Sequence, residues 1–135
     1  MNVAAPISPG QSSQLQFTLI NYERSQSASD IDFSVDLSAT SIAGITWSAT
    51  ELTNVCGNGD LSGNNSGVIT FSNGSLNAEE SCTFSVDIHI PDASTPGAYT
   101  LNSSTVYVDG SGKGTAKADL IVVGAPVAEL RFTKS

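Results

Sequence analysis

The chain has 135 residues and a net charge of −8, from 13 acidic and 5 basic side chains. That balance excludes a nucleic-acid partner, because phosphate contacts need clustered Lys and Arg, and it counts against anionic membrane surfaces. The length suits one domain with a single core. The recurrence of alternating apolar runs along the whole chain excludes a disordered segment.

Only 13% of the residues are charged and 7% are aromatic, with Ser, Thr, Asn and Gly filling much of the remainder. This composition fits a sandwich whose outer faces carry hydroxyl and amide groups. No apolar stretch approaches the roughly 20 residues that a membrane-spanning helix needs. The longest, residues 120–128, is broken by Gly124 and Pro126, so no membrane insertion is expected. Met1-Asn2-Val3 leads directly towards Pro6 and Pro9 without a leader pattern, and the chain reads as a piece excised from something longer.

In chain order, a short edge segment precedes a turn at Pro6-Ile7-Ser8-Pro9-Gly10. Residues 14–21 form the next predicted strand, with Leu15, Phe17 and Leu19 on one face. Residues 30–37 alternate strictly, sending Ile31, Phe33, Val35 and Leu37 inward and Asp30, Asp32, Ser34 and Asp36 outward. Ile45-Thr46-Trp47 and residues 52–56 are shorter candidates. Residues 57–67 form a Gly/Asn-rich loop, and Val68-Ile69-Thr70-Phe71 follows it.

The clearest strand is residues 82–90. Cys82, Phe84, Val86, Ile88 and Ile90 share one face, while Thr83, Ser85, Asp87 and His89 share the other. A turn over 91–97 leads to a long strand over 98–108, a Gly-rich hairpin over 109–114 and a return strand over 115–123. The long strand breaks parity, because Tyr99 and Leu101 are odd while Val106 and Val108 are even. A bulge near Ser103-Ser104 reconciles them. Without one, Asn102 shares the core face. No window carries a helical stripe, so the expectation is an all-β, Ig-like antiparallel β-sandwich.

The only two cysteines are Cys56 and Cys82. Cys82 faces the core, and a Cys56–Cys82 bridge implies an extracellular or cell-surface setting. Two buried free thiols in a cytosolic domain are the alternative.

Ile7-Ser8-Pro9-Gly10 running into residues 15–21, then Cys56-Gly57, Gly74-Ser75-Leu76, residues 81–87 and residues 97–102, follow one another in a particular order and spacing. In this the chain resembles a family of bacterial surface-protein repeats, known only as domains of unknown function, that occur in tandem in very large secreted or cell-wall proteins. Leu130-Arg131-Phe132-Thr133-Lys134-Ser135 resembles the opening strand of such a repeat, a strand this chain lacks at its own start. The implied organisation is a sandwich repeat over 1–124. Residues 125–135 would then be a linker and either the opening strand of a following repeat or a substitute first strand. The expected partners are neighbouring repeats, with strand exchange into another copy as an option. Related repeats resemble pilin-type domains in joining a first-strand Lys to a late-strand Asn. Carried over, that pair is Lys134 and Asn102, although Asp30, Asp32, Asp36, Asp87 and Asp119 all read as outward and leave no buried carboxylate to move the protons.

Other chemistry is sparse. His89 is the only histidine, faces outward and has no evident co-ligand for a metal. A Gly-x-Ser-x-Gly elbow is absent, so no catalytic residue is assigned and no enzyme is expected. Asp109 with its following glycines, and Asn58-Gly59-Asp60, are oxygen-rich loops that could hold Ca²⁺. Turn chemistry explains both without regular acidic spacing, and no cofactor is expected. Trp47 reads as core, with sugar stacking as the alternative. Asn64, Asn73 and Asn102 head N-x-Ser triplets. The leading functional expectation is a structural spacer module supporting adhesion or filament assembly. A carbohydrate- or calcium-binding sandwich is the competing one.

Overall fold

A computed structural model describes residues 1–3, 6–40, 42–92 and 94–123. Eleven strands run β1 (Asn2–Val3), β2 (Ser12–Ile20), β3 (Ala28–Asp36), β4 (Thr46–Ser48), β5 (Asp60–Ser62), β6 (Val68–Leu76), β7 (Ser81–His89), β8 (Gly97–Asn102), β9 (Tyr107–Val108), β10 (Ser111–Gly112) and β11 (Lys117–Val122). The described residues are nearly all β, with one 3₁₀ turn over Leu37–Thr40. One sheet has the order β1-β2-β7-β4, a second β10-β9-β3-β6-β5, and β11 pairs with β8.

All the ladders between strands are antiparallel. Isolated bridges then join the sheets at their margins. Ile7 bridges Val122 in parallel, and Val35 bridges Ser103. On the far side, Asn65 N–H donates to the Trp47 carbonyl at 2.7 Å and Trp47 N–H to the Ser66 carbonyl at 3.1 Å. These contacts tie the sheets together at two of their margins.

The predicted alternation holds in β3 and in the second half of β7, and β11 also alternates exposed and buried without interruption. The core takes Leu15 and Phe17 from β2, Ile31, Phe33 and Val35 from β3, Val86 and Ile88 from β7, and Leu120 from β11. Four phenylalanines form a closed ring at its centre. Phe17 and Phe84 are cross-strand partners in one sheet, and Phe33 and Phe71 are partners in the other. Ring centroids lie at 4.8 Å (Phe17–Phe84), 5.5 Å (Phe17–Phe33), 5.2 Å (Phe33–Phe71) and 5.3 Å (Phe71–Phe84). These separations fall in the favourable range for aromatic pairs. Phe84 is only half-buried, as is Cys82, because the first half of β7 runs out past the core towards the end of the sandwich.

The parity break is present, but the expected long strand over 98–108 is not: β8 pairs with β11, and β9 belongs to the other sheet beside β3. From the Val35–Ser103 bridge to the Ile31–Val108 pair, β3 advances four residues (35 to 31) and its partner five (103 to 108). The extra residue resets parity. Ser104 ties this point down, its N–H donating to the Ser34 carbonyl at 2.7 Å and its hydroxyl accepting from Ser34 N–H at 2.9 Å. Asn102 is consequently exposed, directly opposite Lys117, and the core-facing alternative does not occur.

Three sequence readings change. Residues 52–56 are not a strand, since Asn54 and Cys56 have φ of 56° and 52°, a left-handed backbone that no extended strand accommodates. The loop over 57–67 contains β5, which pairs with β6. The chain does have a first strand, because Asn2 and Val3 pair with Gln16 and Leu15, although it covers only two residues of β2.

Candidate functional site

The features singled out from the sequence fall at different places in the fold. Cys56 sits in the turn between β4 and β5, and Cys82 on β7. They form a disulfide with a Cα–Cα distance of 5.7 Å. The Ser75 N–H of β6 donates to the Cys56 carbonyl at 3.0 Å, so the bridge links the two sheets at one end of the sandwich.

The glycines of this turn have a packing reason. A Cβ at Gly59 would meet the Val55 carbonyl at 2.1 Å and the Phe71 ring at 2.5 Å, and one at Gly74 would meet the other side of that ring at 2.4 Å. Both residues clear space for Phe71, so the Cys56-Gly57-Asn58-Gly59 segment can close over the core.

Beside the disulfide lies an open depression of about 420 Å³, walled by Cys56, Gly57, Ser75, Asn77, Glu80 and Cys82 among others. Asn21 organises the loops around it. This buried side chain donates from Nδ2 to the Gln26 carbonyl at 2.9 Å and the Asn77 carbonyl at 3.1 Å, and its Oδ1 accepts from Glu23 N–H at 3.1 Å. It thus locks the β2–β3 loop onto the β6–β7 turn. Asn21→Ala removes the side-chain bonds to the Gln26 carbonyl and the Glu23 N–H, while the Asn77 carbonyl keeps the Glu80 N–H at 3.1 Å. The substitution is expected to lower stability by about 1–3 kcal/mol, read as a fall in the chemical denaturation midpoint. Asn21→Asp keeps the acceptor but sets a carboxylate oxygen against the Gln26 and Asn77 carbonyls, and is expected to cost at least as much as Asn21→Ala.

The candidate calcium residues do not converge. Asp109 lies at the β9–β10 turn and accepts from the Ser29 hydroxyl at 2.8 Å, whereas Asn58 and Asp60 lie at β5. These are opposite edges of one five-stranded sheet. Among the described residues no three His, Cys, Asp or Glu side chains cluster to hold a metal. His89 is exposed, and its Nδ1 lies 3.2 Å from the Ser12 hydroxyl. Trp47 is 1% exposed and its Nε1 donates to the Val68 carbonyl at 2.7 Å, so its ring faces are packed and offer no surface for a sugar. Lys134 lies outside the described residues, as does the rest of the tail; its candidate partner Asn102 stands on the exposed face of β8. No described helix is long and apolar enough to cross a membrane.

A disulfide-tied sandwich of this kind matches a family model described as "Domain of unknown function (DUF7933)" over residues 1–122. The chain belongs to this family. No curated protein matches it. The DUF7933 fold is shared with solved bacterial proteins of low sequence identity. One is the seventh ScaB type I cohesin from Pseudobacteroides cellulosolvens, at 14% identity and a TM-score of 0.61 over 98% of this chain and 97% of that one. Another is BcpA, the major pilin subunit of Bacillus cereus, at 8% identity and 0.59 over 88% of this chain and 36% of that one. A third is BslA, a bacterial hydrophobin, at 14% identity and 0.52 over 93% and 94%. At these identities the likeness establishes the fold, an Ig-like β-sandwich.

Proposed function

We propose that this DUF7933 domain is a non-catalytic structural module of a secreted bacterial surface protein, one of several copies in series that extend an adhesive tip or build a filament. The observation that carries this reading is the parallel bridge between Ile7 and Val122. The first segment and the last strand run in the same direction, so the chain enters heading along the sandwich axis and leaves on the same heading. Modules joined in this way lengthen an array. An antiparallel entry and exit would fold it back on itself.

Further support comes from the bridge between the sheets, which suits an oxidising compartment, and from outer faces lined with Ser, Thr, Gln and Asn. The likeness to a cohesin and to a major pilin subunit is consistent with a place in an assembled surface structure.

Chains of two, three and four copies in direct series test the reading by small-angle scattering. A nine-residue strand spans about 30 Å, so the maximum dimension is expected to grow by a constant increment of about 30–40 Å per copy. A compact particle whose longest dimension stays flat would overturn it. Saturable binding to a glycan array, or a clear rise in melting temperature with Ca²⁺, would instead favour a carbohydrate- or calcium-binding module.

A further inference from the structure

Phe71 lies between two glycines, and each of them follows an asparagine. The chain carries the Asn-Gly pair only at Asn58-Gly59 and Asn73-Gly74. Packing and turn chemistry account for both. A Cβ at either glycine would run into the Phe71 ring. Asn suits the turn before Gly59, and it suits the left-handed backbone at Asn73, whose φ is 60°. The combination has a chemical consequence. Glycine leaves its backbone nitrogen unshielded, and that nitrogen can attack the side-chain amide of the asparagine before it, a reaction that makes Asn a heat-labile residue.

We propose that Asn58 is a site of spontaneous covalent modification and that Asn73, with the same neighbour, is protected. The Gly59 nitrogen bonds to Asn58 Cγ and gives up its proton, the Cγ–Nδ2 bond breaks, and ammonia leaves with that proton, closing a succinimide. Water then opens the ring at either carbonyl. One product is an ordinary aspartate. The other is isoaspartate, in which the backbone runs through Cβ and Cγ and is longer by a methylene. The sum exchanges one ammonia for one water and needs no enzyme.

Ring closure requires the backbone to swing until the nitrogen meets Cγ, so the pairing around each site decides its rate. Asn73 and Gly74 lie within β6, in the interior of the five-stranded sheet. Gly74 pairs with Ile31 of β3, and the Asn73 N–H donates to the Asp32 carboxylate at 3.3 Å. Movement there breaks the β3–β6 ladder. Asn58 is exposed in a turn, and among the described residues it makes no backbone–backbone hydrogen bond. The turn is held only to either side of it, by the bridge at Cys56 and by the Val55 N–H donating to the Gly59 carbonyl at 2.8 Å. An extra methylene between these anchors lifts Gly59 from the Phe71 ring and loosens the disulfide end of the sandwich. The site is internal to one domain and independent of the serial arrangement proposed above.

Ageing of the full-length protein tests the proposal, with the native bridge intact and at mildly alkaline pH. Peptide mass mapping over time reads the exchange of ammonia for water at each asparagine. Asn58 is expected to convert about tenfold faster than Asn73, the ratio that a modest difference in local opening produces. In denaturant, where neither pair is held, the two are expected to convert at comparable rates. Equal rates in the native protein would overturn the proposal. So would faster conversion at Asn73, or an Asn58 that stays intact while the denatured chain converts. Hydrogen exchange reads the structural effect. The β5 amides of the isoaspartate form are expected to exchange faster than those of an Asn58→Asp chain, which carries the charge on an unaltered backbone. Equal exchange in the two would overturn the loosening of the turn.

Discussion

Loss of the Cys56–Cys82 bridge is expected to lower the unfolding free energy by about 3 kcal/mol, from the loop-closure entropy of a closed 26-residue span. For a domain of this size that corresponds to a fall in melting temperature of about 10–15 °C. The loss is expected to be local before it is global. The bridge holds the Cys56 turn, and through it Gly59, against Phe71. Once it opens, the backbone amides of β5 and of the end of β6 should exchange faster than those of β2 and β7. The Cys56→Ser, Cys82→Ser double variant, compared by hydrogen exchange and calorimetry with the reduced wild type, separates the lost crosslink from the added hydroxyls. The intact mass of the unreduced protein should lie two hydrogens below the dithiol value. Two freely alkylated thiols in that protein, or an unchanged melting temperature after reduction, would remove the staple from the account of this fold.

The same bridge shows what could be read from the chain alone. With two cysteines there is one pairing, and the inward parity of Cys82 pointed to it. Strands with one face in water were also legible, since burial of one side writes itself as period two: β3 and β7 are the clear cases. The irregularity at Ser103–Ser104 was legible for the same reason, as a break in that period, but the change of sheets there was not. Nor was β5. Asp60-Leu61-Ser62 is too short to show a period, and its strand character comes from pairing with Phe71 and its neighbours. The misreading of residues 52–56 has the opposite origin. Leu52 and Val55 mimic a strand edge, but the segment turns at Asn54 and Cys56 to bring the bridge into place.

The end-face depression was invisible because its walls come from turns far apart in sequence, held by Asn21. The Gly-rich loops drew attention as oxygen-rich sites. Gly59 and Gly74 are there because the Phe71 ring occupies the space a Cβ would take. A signal read as ligand chemistry was thus partly packing, and a side chain considered for sugar stacking, Trp47, is among the most deeply buried in the molecule.

Phe71 is accordingly the residue whose truncation is expected to cost most. It is fully buried, stacks on Phe84, tilts against Phe33 and fills the gap between two glycines. Phe71→Ala removes the ring from the centre of the aromatic cycle. The surrounding backbone is pinned by β3 on one side and β5 on the other, so the cavity cannot readily collapse. A loss of about 3–5 kcal/mol is expected, as for other large-to-small changes at rigid core sites. Phe84→Ala is expected to cost less, because Phe84 is half-buried and water can enter the space it leaves. Thr83→Ala, one residue away on the exposed face, loses only a 3.2 Å hydroxyl contact with Thr18 and is expected to change stability by less than about 0.5 kcal/mol. Denaturant unfolding of the three variants reads these values directly. A Phe84 loss equal to that of Phe71 would mean that the outer half of β7 is as deeply packed as the centre. A Thr83 loss of similar size would mean that the face assigned to water is covered.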